Sequence, residues 1–147
     1  MVRSVQRGLA LVSIATLLAA CSSGPAKGPI AATVKEWQIS LSATTVAAGP
    51  ITFNITNAGD KEHEFVVRKT TLTSDKLPLN ADGEVSESAT ELTEVGDPSE
   101  VAEIASGSKD RTLTVTLQPG HYVIFCNLHV EDLLHYQKGM HVDVTVQ

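Results

Sequence analysis

Hydrophobic and polar positions alternate along much of this chain with the two-residue period of a half-buried strand. Trp37, Ile39 and Leu41 alternate with Gln38 and Ser40. Ile51, Phe53 and Ile55 alternate with Thr52, Asn54 and Thr56, and Leu113, Val115 and Leu117 with Thr112, Thr114 and Thr116. Val142, Val144 and Val146 take one face of a last segment, Met140–Val146. Side chains of equal parity share a face of a strand, so each run predicts one buried face and one wet one. Turn signals separate them: Ala48-Gly49-Pro50, Asn57-Ala58-Gly59-Asp60 and Pro119-Gly120. His63–Arg68 and His121–Asn127 read as further strands. About seven to eight short strands with turns between them predict an all-β, antiparallel Greek-key sandwich or barrel.

Thr70–Ser106 breaks this rhythm. Asp82 to Glu103 holds eight acidic residues and no Lys or Arg, and Pro78, Gly83, Gly96 and Pro98 interrupt any long element. It reads as a solvated loop with a short helix or edge strand near Val101–Ile104, or as an acidic docking surface for a basic partner. Thus an acidic excursion interrupts the β-domain, expected over residues 33–147.

The first residues read differently again. Arg3 and Arg7 precede an apolar run from Leu9 to Ala20, too short to span a bilayer comfortably. Leu18-Ala19-Ala20-Cys21 resembles a bacterial lipobox, with Cys21 lipidated as the new N-terminus. Residues 1–20 are therefore expected to be a lipoprotein signal peptide, and residues 21–32, rich in small residues, Gly and Pro, a flexible tether. The implied address is the cell envelope, with the domain lipid-anchored to the cell membrane or outer membrane and facing periplasm or exterior.

The chain has 11 Lys and Arg against 17 Asp and Glu, a net charge of −6. Removing Arg3 and Arg7 with the signal takes that to −8. Such a charge argues against nucleic acid as a partner and against a basic membrane-binding face. With Cys21 blocked by lipid, Cys126 has no disulfide partner. A free thiol in an oxidising compartment calls for an occupant, and a metal would serve.

The chemistry gathers in Tyr122–His129 and His135–Met140. Cys126 shares parity with Tyr122 and Ile124 at the end of a buried strand, and Met140 with the inward valines. His135 lies in the loop between them. His63 shares a face with Phe65 and Val67 at the entry of its strand and supplies a second imidazole. Thiolate, imidazole and thioether together suit copper better than magnesium, calcium or manganese. A trigonal His–Cys–His set with a distant Met is the blue-copper arrangement. His121 points away from Cys126, toward a surface or rim role, and Glu131 and Asp132 read as solvated loop charges or a partner contact.

The series Asn57-x5-His63, Pro119-Gly120-x-Tyr122-x3-Cys126 and His135-x4-Met140 resembles the cupredoxin family of plastocyanin and azurin. The resemblance covers roughly Val34 to Gln147. It implies a Greek-key β-sandwich, one copper ion held by His63, Cys126, His135 and Met140, and single-electron transfer to a redox partner protein, not an enzyme activity. Eight residues separate Cys126 from His135, more than small cupredoxins have, and His129 at the shorter spacing is the alternative ligand. Glu64 stands where many members carry Asn. Two other functions stay open: a carrier or store that delivers copper to another exported protein, and a metal-free interaction module.

Overall fold

The computed structural model describes residues 24–147, and the expected signal peptide and Cys21 lie outside them. Among the described residues there is no helix. Twelve strands form two main sheets and one small hairpin.

The first sheet has the order β2-β1-β4-β8, with β1 Ile30–Lys35, β2 Gln38–Leu41, β4 Gly49–Asn57 and β8 Arg111–Leu117. The second has the order β3-β12-β9-β5-β6, with β3 Thr45–Val46, β5 His63–Lys69, β6 Thr93–Glu94, β9 Gly120–Phe125 and β12 His141–Val146. Strand β7, Glu100–Ile104, also pairs with β5. The alternation read in β4 and β8 is met on the inner faces, where Ile51, Phe53, Ile55, Leu113, Val115 and Leu117 are buried. Phe53 and Phe65 meet across the two sheets with ring centroids 5.3 Å apart.

Three features differ from the sequence reading. The sheets are mixed, because β1 runs parallel to β4 and β3 parallel to β12. Residues 30–32, read as the end of a tether, are instead the first residues of β1. Ile30 and Ala32 point into the core from β1, and Ala26 bridges Val46. Ile30–Ala32 pair with β4 and belong to the sheet. Nor is the excursion a solvated loop. The outer face of the second sheet carries Val66, Val123 and Phe125, which cannot stay wet. Leu77, Val85, Leu92 and Tyr136 cover them as a second apolar cluster. The edge strand near Val101–Ile104 is present as β7.

Strand order fixes where the chemistry sits. β9 is antiparallel to both β5 and β12. The start of β5, the end of β9 and the start of β12 therefore share one end of the sandwich. His63 opens β5, Cys126 follows β9, and Met140 precedes β12.

Candidate metal centre

His63, Cys126 and His135 are fully buried and converge at that end. Their ligand atoms all lie within 4.8 Å of one another. His63 Nδ1 is 3.3 Å from His135 Nδ1, and Cys126 Sγ is 3.3 Å from the same nitrogen. Two ligands on one cation, each about 2 Å from it, stand roughly 3.5 Å apart. Three lone-pair donors crowded together suit a cation at their centre. Met140 is buried in the core beside them, its carbonyl accepting from Cys126 N–H at 3.0 Å and its N–H donating to His135 carbonyl at 3.2 Å.

Local irregularities aim these groups. Between His63 and Phe65 the β5–β7 register shifts by one residue. Such a bulge re-aims what it carries. The Glu64 N–H has no partner in that ladder and donates to Cys126 Sγ at 3.2 Å. The Glu64 carboxylate accepts from Asn127 N–H at 3.2 Å, so a link across to the Cys loop exists with Glu in place of Asn.

Ten-odd residues of loop would leave such a site loose, but this loop is folded. Strands β10 His129–Val130 and β11 Leu133–Leu134 form a hairpin, and His135 N–H donates to Leu128 carbonyl at 3.0 Å. Glu131 sits in the left-handed region at the tip with φ 56. His129 faces outward, 3.6 Å from Glu84, and is not part of the buried cluster. The Cys loop is also stitched to the excursion. Asn127 Oδ1 accepts from Val85 N–H at 2.7 Å, and its amide donates to Val85 carbonyl and to Glu87. Glu87 and Glu100 also pair with Arg68, which is buried beneath them.

Burial sets the protonation of the cluster. It pushes the Cys126 thiol up to about 12, although N–H groups of Leu128 and Glu64 pull the other way. Burial, then the His63 and Lys61 charges, hold His135 down at about 4, and burial also lowers His63 against the opposing pull of Glu36. Both imidazoles are thus neutral, as ligands must be. Glu64 is raised to about 7 by burial and by the Glu87 and Glu100 charges, against the Asn127 N–H and Arg68.

Sequence reasoning missed four contributors. Trp37 packs its ring edge-on against His135, centroids 5.0 Å apart. Glu36, Asn127 and Arg68 brace the site from outside. Only parity of Arg68 and Val66, which share an outer face with apolar company, hinted at a covering layer. His121 holds the rim place expected of it, bonded to Asp143 at 2.9 Å. His141 faces outward but lies under the excursion, 3.0 Å from Ser74 Oγ and tilted against Tyr136. Glu131 and Asp132 are exposed.

A family profile for the sulfocyanin (SoxE) domain matches residues 17–147. Among solved structures, dithionite-reduced auracyanin from the photosynthetic bacterium Roseiflexus castenholzii shares 19% identity at a TM-score of 0.56, covering 84% of this chain and 99% of its own. Rusticyanin from Thiobacillus ferrooxidans shares 15% identity at a TM-score of 0.50, covering 81% of this chain and 76% of its own. No curated protein sequence matches the chain.

Proposed function

The chain belongs to the sulfocyanin family of cupredoxins, and from that premise we propose that it is an exported, membrane-tethered single-electron carrier using one type 1 copper ion. His63 and His135, each through Nδ1, and Cys126 through Sγ would hold the ion, with Met140 as the fourth ligand. The observation that carries this is the convergence of three buried donors, all within 4.8 Å, on the end of a stiff β-sandwich. Bound there, copper would supply a one-electron couple. The chain's part is to hold soft and borderline donors in a geometry that serves both oxidation states. It also keeps water out, since none of the three ligand residues is exposed.

Four protein ligands leave no metal position for a substrate, which favours a carrier over an enzyme. The folded β10–β11 hairpin braces the loop that carries His135, which favours electron exchange over copper delivery. Leu18-Ala19-Ala20-Cys21 supports export with a lipid at Cys21, and Cys21→Ser should release the domain from membranes or block its processing. The partner is a redox protein, and the chain's net charge of −6 favours a basic one.

Visible and EPR spectra after Cu(II) addition test the reading. One copper per chain should bind, with an intense thiolate charge-transfer band. Cys126→Ser should lose the band and keep the β-sheet circular dichroism. An unchanged visible spectrum in that variant would sink the assignment.

A further inference from the structure

The β1–β2 hairpin turns at Glu36-Trp37, and this tip closes over the far sides of both imidazoles. Trp37 covers His135, as described. Glu36 reaches His63, its Oε1 lying 3.3 Å from His63 Nε2. That nitrogen is buried and has no hydrogen-bond partner of good alignment among the described residues.

The carboxylate is itself held in a built cradle. Lys61 N–H donates to Oε1 at 2.6 Å and Asp60 N–H to Oε2 at 3.2 Å. Gly59 approaches so closely that a Cβ there would sit 2.5 Å from Oε2. Buried Asn57 stiffens the same turn: its amide donates to the Lys61 and Ile104 carbonyls, each at 2.7 Å, and its Oδ1 accepts from Gly59 N–H at 2.9 Å. Burial works against charge on Glu36, but the backbone N–H groups outweigh it and hold the carboxyl below its ordinary value. A fixed anion therefore stands behind one imidazole of the site, and none stands behind the other, where Trp37 packs.

We propose that Glu36 is a positioning residue for the metal centre: it accepts the Nε2–H of His63, holds Nδ1 toward Cys126 and His135, and makes Nδ1 the stronger donor. The inference rests on the copper-ligand reading above. A carboxylate behind a ligating imidazole fixes its tautomer and raises its basicity, and losing such a partner changes metal affinity by about 10- to 100-fold. The stronger imidazole donor favours Cu(II), because soft sulfur ligands are what favour Cu(I). Trp37, by contrast, leaves His135 without that support, so the two imidazoles are unequal.

The test uses two variants of the full chain. Glu36→Gln removes the charge and keeps the shape. Gly59→Ala keeps Glu36 and puts a methyl where its carboxylate lies. Both should weaken Cu(II) binding about tenfold relative to Cu(I), raising the reduction potential by about 59 mV. In the Cu(I)-loaded protein, both should also move the His63 Nε2–H proton resonance upfield. A wild-type potential and a wild-type resonance in both variants, with or without lost thermal stability, would overturn the proposal, since Glu36 would then only tie the hairpin to the 57–61 turn. If the wild type takes up no copper, the ligand reading fails instead. The His63 tautomer in the copper-free chain then decides: Nε2–H in the wild type with a shift toward Nδ1–H in Glu36→Gln supports the positioning role, and equal tautomers refute it.

Discussion

Cys126 brings a proton to the site, and that proton sets the pH dependence of copper binding. Its thiol is pushed up to about 12, chiefly by burial. A ligand thiolate must be deprotonated. Over the neutral range copper binding therefore releases one proton from Cys126. Affinity should rise at least about tenfold per pH unit, and fall at least about a hundredfold from pH 7 to pH 5. His135, held down at about 4, stays neutral over that range and adds no second proton until more acid conditions. A competition titration with a chelator of known proton affinity measures the slope. A flat profile between pH 5 and pH 7 would mean that the thiol is already ionised. Cys126→Ser should flatten it, because the serine hydroxyl does not take the thiolate's place.

At the scale of elements, the loop from Cys126 to His135 decides which histidine binds. Read as bare spacing, His129 and His135 compete. The β10–β11 hairpin favours His135 physically. It pairs His129 with Leu134 and Val130 with Leu133, so the chain leaves and returns to nearly the same place. His135 enters the cluster just as it would after a shorter loop, while His129 stands outside, paired with Glu84. His135→Ala should abolish or severely distort the copper spectrum. His129→Ala should leave it nearly intact and cost under about 1 kcal/mol in stability, since a contact between exposed side chains contributes little. The reverse spectra would make His129 the ligand and His135 a brace. The inner faces of β4, β8 and β12 were legible from parity, and so was the shared end of the sandwich, because strand direction and side-chain period are local properties. The hairpin was not legible: two-residue strands carry no periodic signal. Neither was the Glu36–His63 approach, because a contact between a hairpin tip and a distant strand is set by sheet order alone. The excursion misled for a related reason. Its acidic majority hid Leu77, Val85 and Leu92, whose purpose shows only once the outer faces of Val66, Val123 and Phe125 are seen to need cover.

For the whole molecule, the question is whether electrons or copper ions leave it. The proposed ligands hang from strands of one sheet and from a loop anchored at both ends, so little need move when the oxidation state changes. Release of copper would mean breaking a buried thiolate contact. The field of the molecule bears on the partner. The net charge is −6, but the acidic excursion does not all face outward. Glu87 and Glu100 are engaged by Arg68. Asp82, Glu91, Glu94, Asp97 and Glu103 remain exposed to solvent. A cationic partner should therefore be steered in, with an association rate that falls as salt shortens the screening length to about 8 Å at physiological ionic strength. Electron carriage predicts reversible one-electron cycling without copper loss, and salt-sensitive exchange with a cationic partner. Copper delivery predicts Cu(I) passing readily to a competing chelator, and little change in transfer rate when the exposed acids are neutralised. The two separate when the copper-loaded domain is cycled electrochemically beside a Cu(I) chelator. Steady current with the metal retained is the expected result. Rapid loss of metal on reduction would defeat the electron-carrier reading, because a site that opens at each turnover cannot keep the geometry on which fast exchange depends.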